Sequence, residues 1–210
     1  MDDHVRDQRV EGQDHDGPTT QGEQHGHFSG VQLKRHLLQV STNGSQHNPK
    51  WTVKPFDEVY PGIFLGDVSI AKDKEGLRRI GVTHVLNAAQ GRKFNQIDTD
   101  DAFYSDIGVA FLGIPAIDVF GFKMSKYFAT ATDFIENALC SEGGKVLVHC
   151  QQGLSRSSSL VLAFLMLKRG LRAVDACTTL RQIRPVMPND GFLEQLAALD
   201  CQLYCQDRHD

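Results

Sequence analysis

The stretch Lys145–Leu167, KVLVHCQQGLSRSSSLVLAFLML, limits the possible folds more than any other part of the chain. Two apolar runs, Val146–Val148 and Leu160–Leu167, flank a short polar segment. The first is short and valine-rich, as a strand covered on both faces would be. The second is apolar all round, as a helix inside a core must be. At eight residues it is the longest apolar run and falls far short of the ~20 needed to cross a bilayer. A buried strand running directly into a buried helix is half of a βαβ unit.

The same alternation continues along the chain. GIFLGD (62–67), THVLNAA (83–89) and AFLGIPA (110–116) read as further strands, and SIAKDKEGLRRIG as one helix closed by Gly81. The segment MSKYFATATDFIENALCSEGG reads as a helix with Tyr127, Phe128, Ala131, Phe134, Ile135 and Leu139 inward, ended by Gly143-Gly144. RSSSLVLAFLMLKRG is a helix stopped at Gly170, and another near 172–184 halts before Pro185. A last helix, from Asn189 to about Tyr204, would bury Phe192, Leu193, Leu196, Leu199 and Leu203. The predicted class is α/β: a single domain with a mainly parallel central sheet flanked by helices.

Composition sets the outer limits. Residues 1–27 hold only Met1, Val5 and Val10 as sizeable apolar groups, and seven acids against two arginines give them a charge of −5, so that the rest of the chain carries +1 of the overall −4. Such a segment cannot bury enough surface to offset its ordering entropy, so 1–29 is expected to be a disordered acidic tail. Four of the nine histidines lie there, at 4, 15, 25 and 27, with spacing too irregular to predict a metal site. Val31, Leu33, Leu37, Leu38 and Val40 suggest an amphipathic helix, so 30–50 is read as N-terminal helix and linker, and 51–205 as the main domain. The body of the chain is near neutral, which gives no support for nucleic-acid binding. Five cysteines without a leader peptide suit free thiols in a reducing compartment, so the expected address is cytoplasmic and/or nuclear.

The polar segment between the two apolar runs is where chemistry is expected. The N-terminus of the following helix points unpaired N–H groups into the turn, and such a terminus binds tetrahedral anions. Gly153 allows close backbone approach, and Arg156 offers a planar fork that matches two phosphate oxygens. Gln151, Gln152, Leu154 and Ser155 complete the loop, with backbone rather than side chains expected to meet the anion. Cys150 then sits at the floor of an anion cradle, where helix termini and cations bring cysteine pKa values down to ~3.5–7.5. A thiolate beneath a bound phosphoryl group is an in-line nucleophile. His149 is expected to orient the loop through ring hydrogen bonds, and Ser157 to donate to the thiolate as it leaves.

HCQQGLSRS matches the His-Cys-x-x-Gly-x-x-Arg-Ser signature of the cysteine-based protein tyrosine phosphatases. The wider chain resembles the small atypical dual-specificity phosphatases of the VHR-like type over about Val31 to Asp200, through DEVYPGIFLGD, GVTHVLNAAQGRKF, FLGIPAID, YFATATDFI and RPVMPNDGFLEQL. That resemblance implies hydrolysis of phosphotyrosine and phosphoserine or phosphothreonine esters in proteins through a cysteinyl-phosphate, with no metal or cofactor. It also implies a general-acid aspartate some thirty residues before the cysteine. Asp118 lies 32 residues upstream, just past a strand, whereas Asp133 falls mid-helix and Asp106 precedes the strand. Arg92 and Phe94, in QGRKF, are candidates to wall the cleft. Arg184 is a candidate receiver of a second phosphate or acidic residue, and Asn189 a cap for the last helix and a prop for the phosphate loop. Cys177, Cys201 and Cys205 are expected to be packing residues. Phosphorylated proteins are the expected partners, and the chain itself a monomer or weak homodimer. Two alternatives stand beside this reading: a phosphoinositide or RNA-phosphate phosphatase, and a phosphoprotein-binding scaffold on the same fold. The uncharged loop between Cys150 and Arg156 weighs against a polyanion, and an intact Cys150, Arg156, Ser157 and Asp118 weigh against binding alone.

Overall fold

The computed structural model describes residues 28–42 and 53–204. Residues 1–27, most of the polar linker, Trp51 and Cys205 lie outside the described residues, while Phe28 and Ser29, expected in the tail, are ordered: Phe28 packs on the core and Ser29 caps the first helix. Five strands form one sheet: β1 (Phe56–Tyr60), β2 (Ile63–Gly66), β3 (His84–Asn87), β4 (Ala110–Gly113) and β5 (Val146–His149). Their order is β1-β2-β5-β3-β4. Strands β2 to β5 are mutually parallel, and β1 adds an antiparallel edge through a hairpin with β2. The sheet is therefore mixed, with the predicted parallel centre. Its centre is β5, whose His149 pairs with Gly66 on one side and Asn87 on the other.

Side chains alternate across this sheet into two cores. Ile63, Leu65, Val146 and Val148 face a large core, while Phe64, Val85 and Leu147 face a smaller one. Both faces are covered, which is why β5 reads as an unbroken apolar run. Over the smaller core lie α2 (Val68–Lys72), α3 (Lys74–Ile80) and α4 (Asp101–Tyr104), the last anchored by the Tyr104 hydroxyl donating to the Ala71 carbonyl at 2.8 Å. The helix expected over SIAKDKEGLRRIG is in fact two. Asp73 ends α2 and caps α3 by accepting from the Gly76 N–H, and a carboxylate bonding its own chain in this way competes with helix continuation.

The large core holds α1 (Gly30–Gln39), α5 (Phe128–Cys140), α6 (Arg156–Arg169), α7 (Ala173–Ile183) and α8 (Asp190–Tyr204). Helix α6 is buried continuously from Arg156 to Met166 and stops where Gly170 adopts φ +66. That fixes it as the central helix, aimed N-terminus first at the end of β5. Helix α1 begins with a reciprocal capping box between Ser29 and Gln32, and its Leu33 and Leu37 are fully buried in the large core. It is thus built into the main domain rather than appended to it. The interior of α8 differs slightly from expectation. Asp200 replaces Leu203 inside, where its carboxylate takes a fork from Arg172 and the Ala173 N–H, while Leu203 is exposed.

Candidate active site

Strand β5 delivers Cys150 to the carboxyl edge of the sheet, and the chain then curls through residues 151–155 into α6. Each carbonyl of this loop is engaged away from the cavity. That of Gln151 accepts from the Val68 N–H, and those of Gln152 and Gly153 from Arg184. The Leu154 carbonyl accepts from the Met187 N–H and the Ser158 hydroxyl, and the Ser155 carbonyl from the Ser158 and Ser159 hydroxyls. With five consecutive carbonyls satisfied outside, the loop's N–H groups are left for the inside. Gly153 is required twice over. Its φ is +70, and a Cβ would lie 2.4 Å from the Gly66 carbonyl oxygen.

The cavity so enclosed has a volume of about 350 Å³ and is lined by Asn95, Asp118, Cys150, Gln151, Gln152, Leu154, Ser155, Arg156 and Met187. The Cys150 sulfur accepts from the Gly153 N–H and the Ser157 hydroxyl, both at 3.3 Å. Burial alone would raise the thiol's pKa. The Ser157 hydroxyl and backbone, the Arg156 charge and the Gln152 backbone together outweigh it and hold the pKa below the ordinary thiol value. Buried Cys177 has no such donors, and burial pushes it up to about 12, the behaviour of a packing residue.

The Arg156 side chain is almost wholly buried. Its Nη1 donates to the carbonyls of Asn95 (2.7 Å) and Ala116 (3.3 Å). Its Nε makes no hydrogen bond and lies 3.5 Å from an Asp118 carboxylate oxygen, close enough for charge attraction but out of line for a bond. Asp118 is brought into the same cavity from the loop after β4. Its other oxygen accepts from the Ser155 hydroxyl and the Asn189 side-chain amide, both at 2.8 Å. Asn189 joins three elements. It caps α8 by accepting from the Phe192 N–H, and its own N–H donates to the Ser155 hydroxyl.

Two expectations are corrected and a third is narrowed. Arg184 is fully buried, with its guanidinium spread over the carbonyls of Lys54, Gln152 and Gly153 and the Asp57 carboxylate, so it has no edge left for a second phosphate. It supports the loop from behind. Arg92 projects into solvent and pairs with Asp98, and Phe94 is fully exposed; neither lines the cavity, and Asn95 does so in their place. Finally, neither ring nitrogen of buried His149 has a hydrogen-bond partner among the described residues. Burial, helped by the Arg156 charge, lowers its pKa to about 3 despite opposing influence from the Cys150 backbone and Asp67. The buried ring is thus held neutral, and it meets the loop at the Cys150 backbone. Asn95 and Met187 were missed by sequence reasoning, since neither carries a chemical signature of its own.

The family model described as "Dual specificity phosphatase, catalytic domain" matches residues 63–202. The chain belongs to this family. The phosphatase is 49% identical over 147 residues to dual specificity protein phosphatase 26 of Homo sapiens, covering 70% of this chain and 68% of that one. Its Rattus norvegicus counterpart is 48% identical over the same length and the same shares. Among solved structures it is similar to human DUSP28, at 30% identity and a TM-score of 0.62, covering 72% of this chain and 97% of that one. It is also similar to the human tyrosine phosphatase-like serine/threonine/tyrosine-interacting protein, at 28% identity and a TM-score of 0.57, covering 70% and 96%. The chain is a small atypical dual-specificity protein phosphatase, a hydrolase of phosphotyrosine and phosphoserine or phosphothreonine esters.

Proposed function

We propose that Cys150, Arg156, Asp118 and Ser157 carry the reaction in two displacements. The Cys150 thiolate attacks the substrate phosphorus, forming an S–P bond as the P–O bond to the tyrosyl, seryl or threonyl oxygen breaks. Asp118, protonated, gives its proton to that departing oxygen. Water then attacks the phosphorus, Asp118 takes a proton from it, the S–P bond breaks and inorganic phosphate leaves. Ser157 stabilises the thiolate as it is released. The loop N–H groups and the Arg156 fork hold the phosphoryl oxygens throughout. Gln151, Gln152, Leu154 and Ser155 act through that backbone, Gly153 through its conformation, and Asn189 by fixing Ser155 and Asp118.

The observation that carries this reading is a buried sulfur stabilised by the Ser157 hydroxyl and the Gly153 N–H, in a loop whose every carbonyl is satisfied elsewhere. A scaffold that only bound phosphoproteins would need the cradle but not the polarised sulfur. A free thiolate nucleophile suits the reducing cytoplasm or nucleus. The test is turnover of a phosphotyrosine peptide and a matched phosphothreonine peptide, with chelator present, by wild type and Cys150→Ser. Both should be hydrolysed, and the substitution should abolish both. Retained binding without turnover would favour the scaffold, and activity confined to lipid or RNA phosphates would favour the polyanion reading.

A further inference from the structure

Arg156 reaches the phosphate cavity already gripped by the main chain. Both acceptors on its Nη1 are carbonyls, and the shorter bond, 2.7 Å, is to Asn95. Asn95 is unusual: among the described residues it alone, glycines aside, has a positive φ, at +63. Asparagine tolerates this left-handed conformation better than most residues because its short polar side chain bonds locally. The loop that presents it is tied at its base. Gln90 and Ile97 form a bridge, the Gly91 N–H donates to the Ile97 carbonyl, and the buried Asn87 amide donates to the same carbonyl and to Thr99. Nearer the tip, the Gln96 N–H donates to the Lys93 carbonyl and the Gln96 side chain accepts from the Lys93 N–H. The residue left to turn over the cavity is Asn95.

We infer that Asn95 is a positioning residue for phosphate binding: its left-handed backbone aims its carbonyl at Arg156 Nη1 and thereby keeps the Nε edge of the guanidinium, which makes no hydrogen bond, turned to the cavity for phosphoryl oxygens. This rests on the proposed role of Arg156 as the phosphate fork. Nε is buried, without a hydrogen bond, and faces the cavity that Asn95 and Asp118 share. A guanidinium held by one nitrogen keeps its orientation before substrate arrives, so less side-chain entropy is lost on binding. The part played by Asn95 is one of conformation. Its side chain is dispensable to the argument, and its φ is not.

The inference separates two substitutions at one exposed position. Asn95→Val places a β-branched residue where φ is positive, and Asn95→Gly keeps that conformation accessible. The measurement is the inhibition constant of orthovanadate, with kcat and KM for para-nitrophenyl phosphate and the melting temperature, for wild type and both variants. Asn95→Val should weaken vanadate inhibition and lower kcat/KM together by roughly five- to thirtyfold, the factor expected for losing one strained but oriented contact. Asn95→Gly should recover most of that loss with little change in melting temperature, and the fall for valine should not exceed about 8 °C. Equal effects of valine and glycine, or a valine variant with unchanged vanadate inhibition, would overturn the inference while leaving the phosphatase reading intact. A wild type that neither turns over the ester nor responds to vanadate would overturn the reading itself, and the inference with it.

Discussion

Arg184 offers the sharpest contrast between a residue that meets substrate and one that holds the loop. Replacing it with alanine removes four hydrogen bonds from a fully buried side chain: to Gly153 and Lys54 at 3.0 Å, to Gln152 at 3.0 Å and to the Asp57 carboxylate at 2.7 Å. Asp57 is itself only 15% exposed, so it is left as a poorly solvated charge. Breaking one side of such a pair costs about 3–5 kcal/mol. For a domain of this size each kcal/mol lowers the melting temperature by ~2–4 °C, so a fall of roughly 6–20 °C is expected. The Gln152 and Gly153 carbonyls would also be freed to turn toward the cavity, where they repel phosphate. Turnover of singly and doubly phosphorylated peptides should therefore drop by the same factor. The assay pairs thermal unfolding with kcat/KM on both peptides. A melting temperature within about 2 °C of wild type, together with a loss confined to the doubly phosphorylated peptide, would refute the structural role and restore the substrate one.

Other consequences are as direct. Asp118→Asn should lower kcat by ~10²–10⁴ with the fold intact, and near-normal turnover would move the acid role to another group. Leu33→Ala, which opens a void between α1 and the large core, should destabilise the whole domain by ~2–5 kcal/mol; denaturant unfolding in which α1 is lost separately, with the main transition unmoved, would contradict its place in that core. Burial keeps His149 neutral down to about 3, whereas an unfolded histidine takes a proton near 6.5. The unfolded state thus binds more protons below that point, so this contribution is full above pH 6.5 and lost as pH falls, at up to about 1.4 kcal/mol per unit. His149→Asn should flatten the stability profile between pH 6 and 4 by that slope, and parallel profiles would show that the ring is not buried neutral.

What the sequence disclosed and what it hid divide along contact range. The Cys150–Arg156 loop was legible because its parts are local: a buried strand, a glycine and a buried helix within one continuous stretch. Asp118 was reachable through the family resemblance and its position after β4. Arg184 was misread because its decisive partner, Asp57, lies 127 positions away on a strand that its own pattern does not announce. Strand β1 has a single fully buried residue, Val59, so it lacks the apolar run that marked β2, β3 and β5. The break at Asp73 turned on capping, which competes with helix periodicity and leaves no trace in it. That His149 is held neutral follows from its complete burial, which residue type alone does not disclose.

The central claim is that Cys150 carries the phosphoryl group between two chemical steps. Ser157 donates to the sulfur at 3.3 Å, so its loss should slow release of the thiolate more than attack by it, and the intermediate should accumulate. The decisive measurement is acid quenching of Ser157→Ala during turnover of a phosphotyrosine peptide, followed by digestion and mass analysis of the fragments. The account predicts a phosphoryl group on the fragment bearing Cys150, bound to sulfur, together with a burst of free tyrosine peptide. Phosphate released without any phosphorylated enzyme, or a phosphoryl group found on a residue other than Cys150, would contradict it.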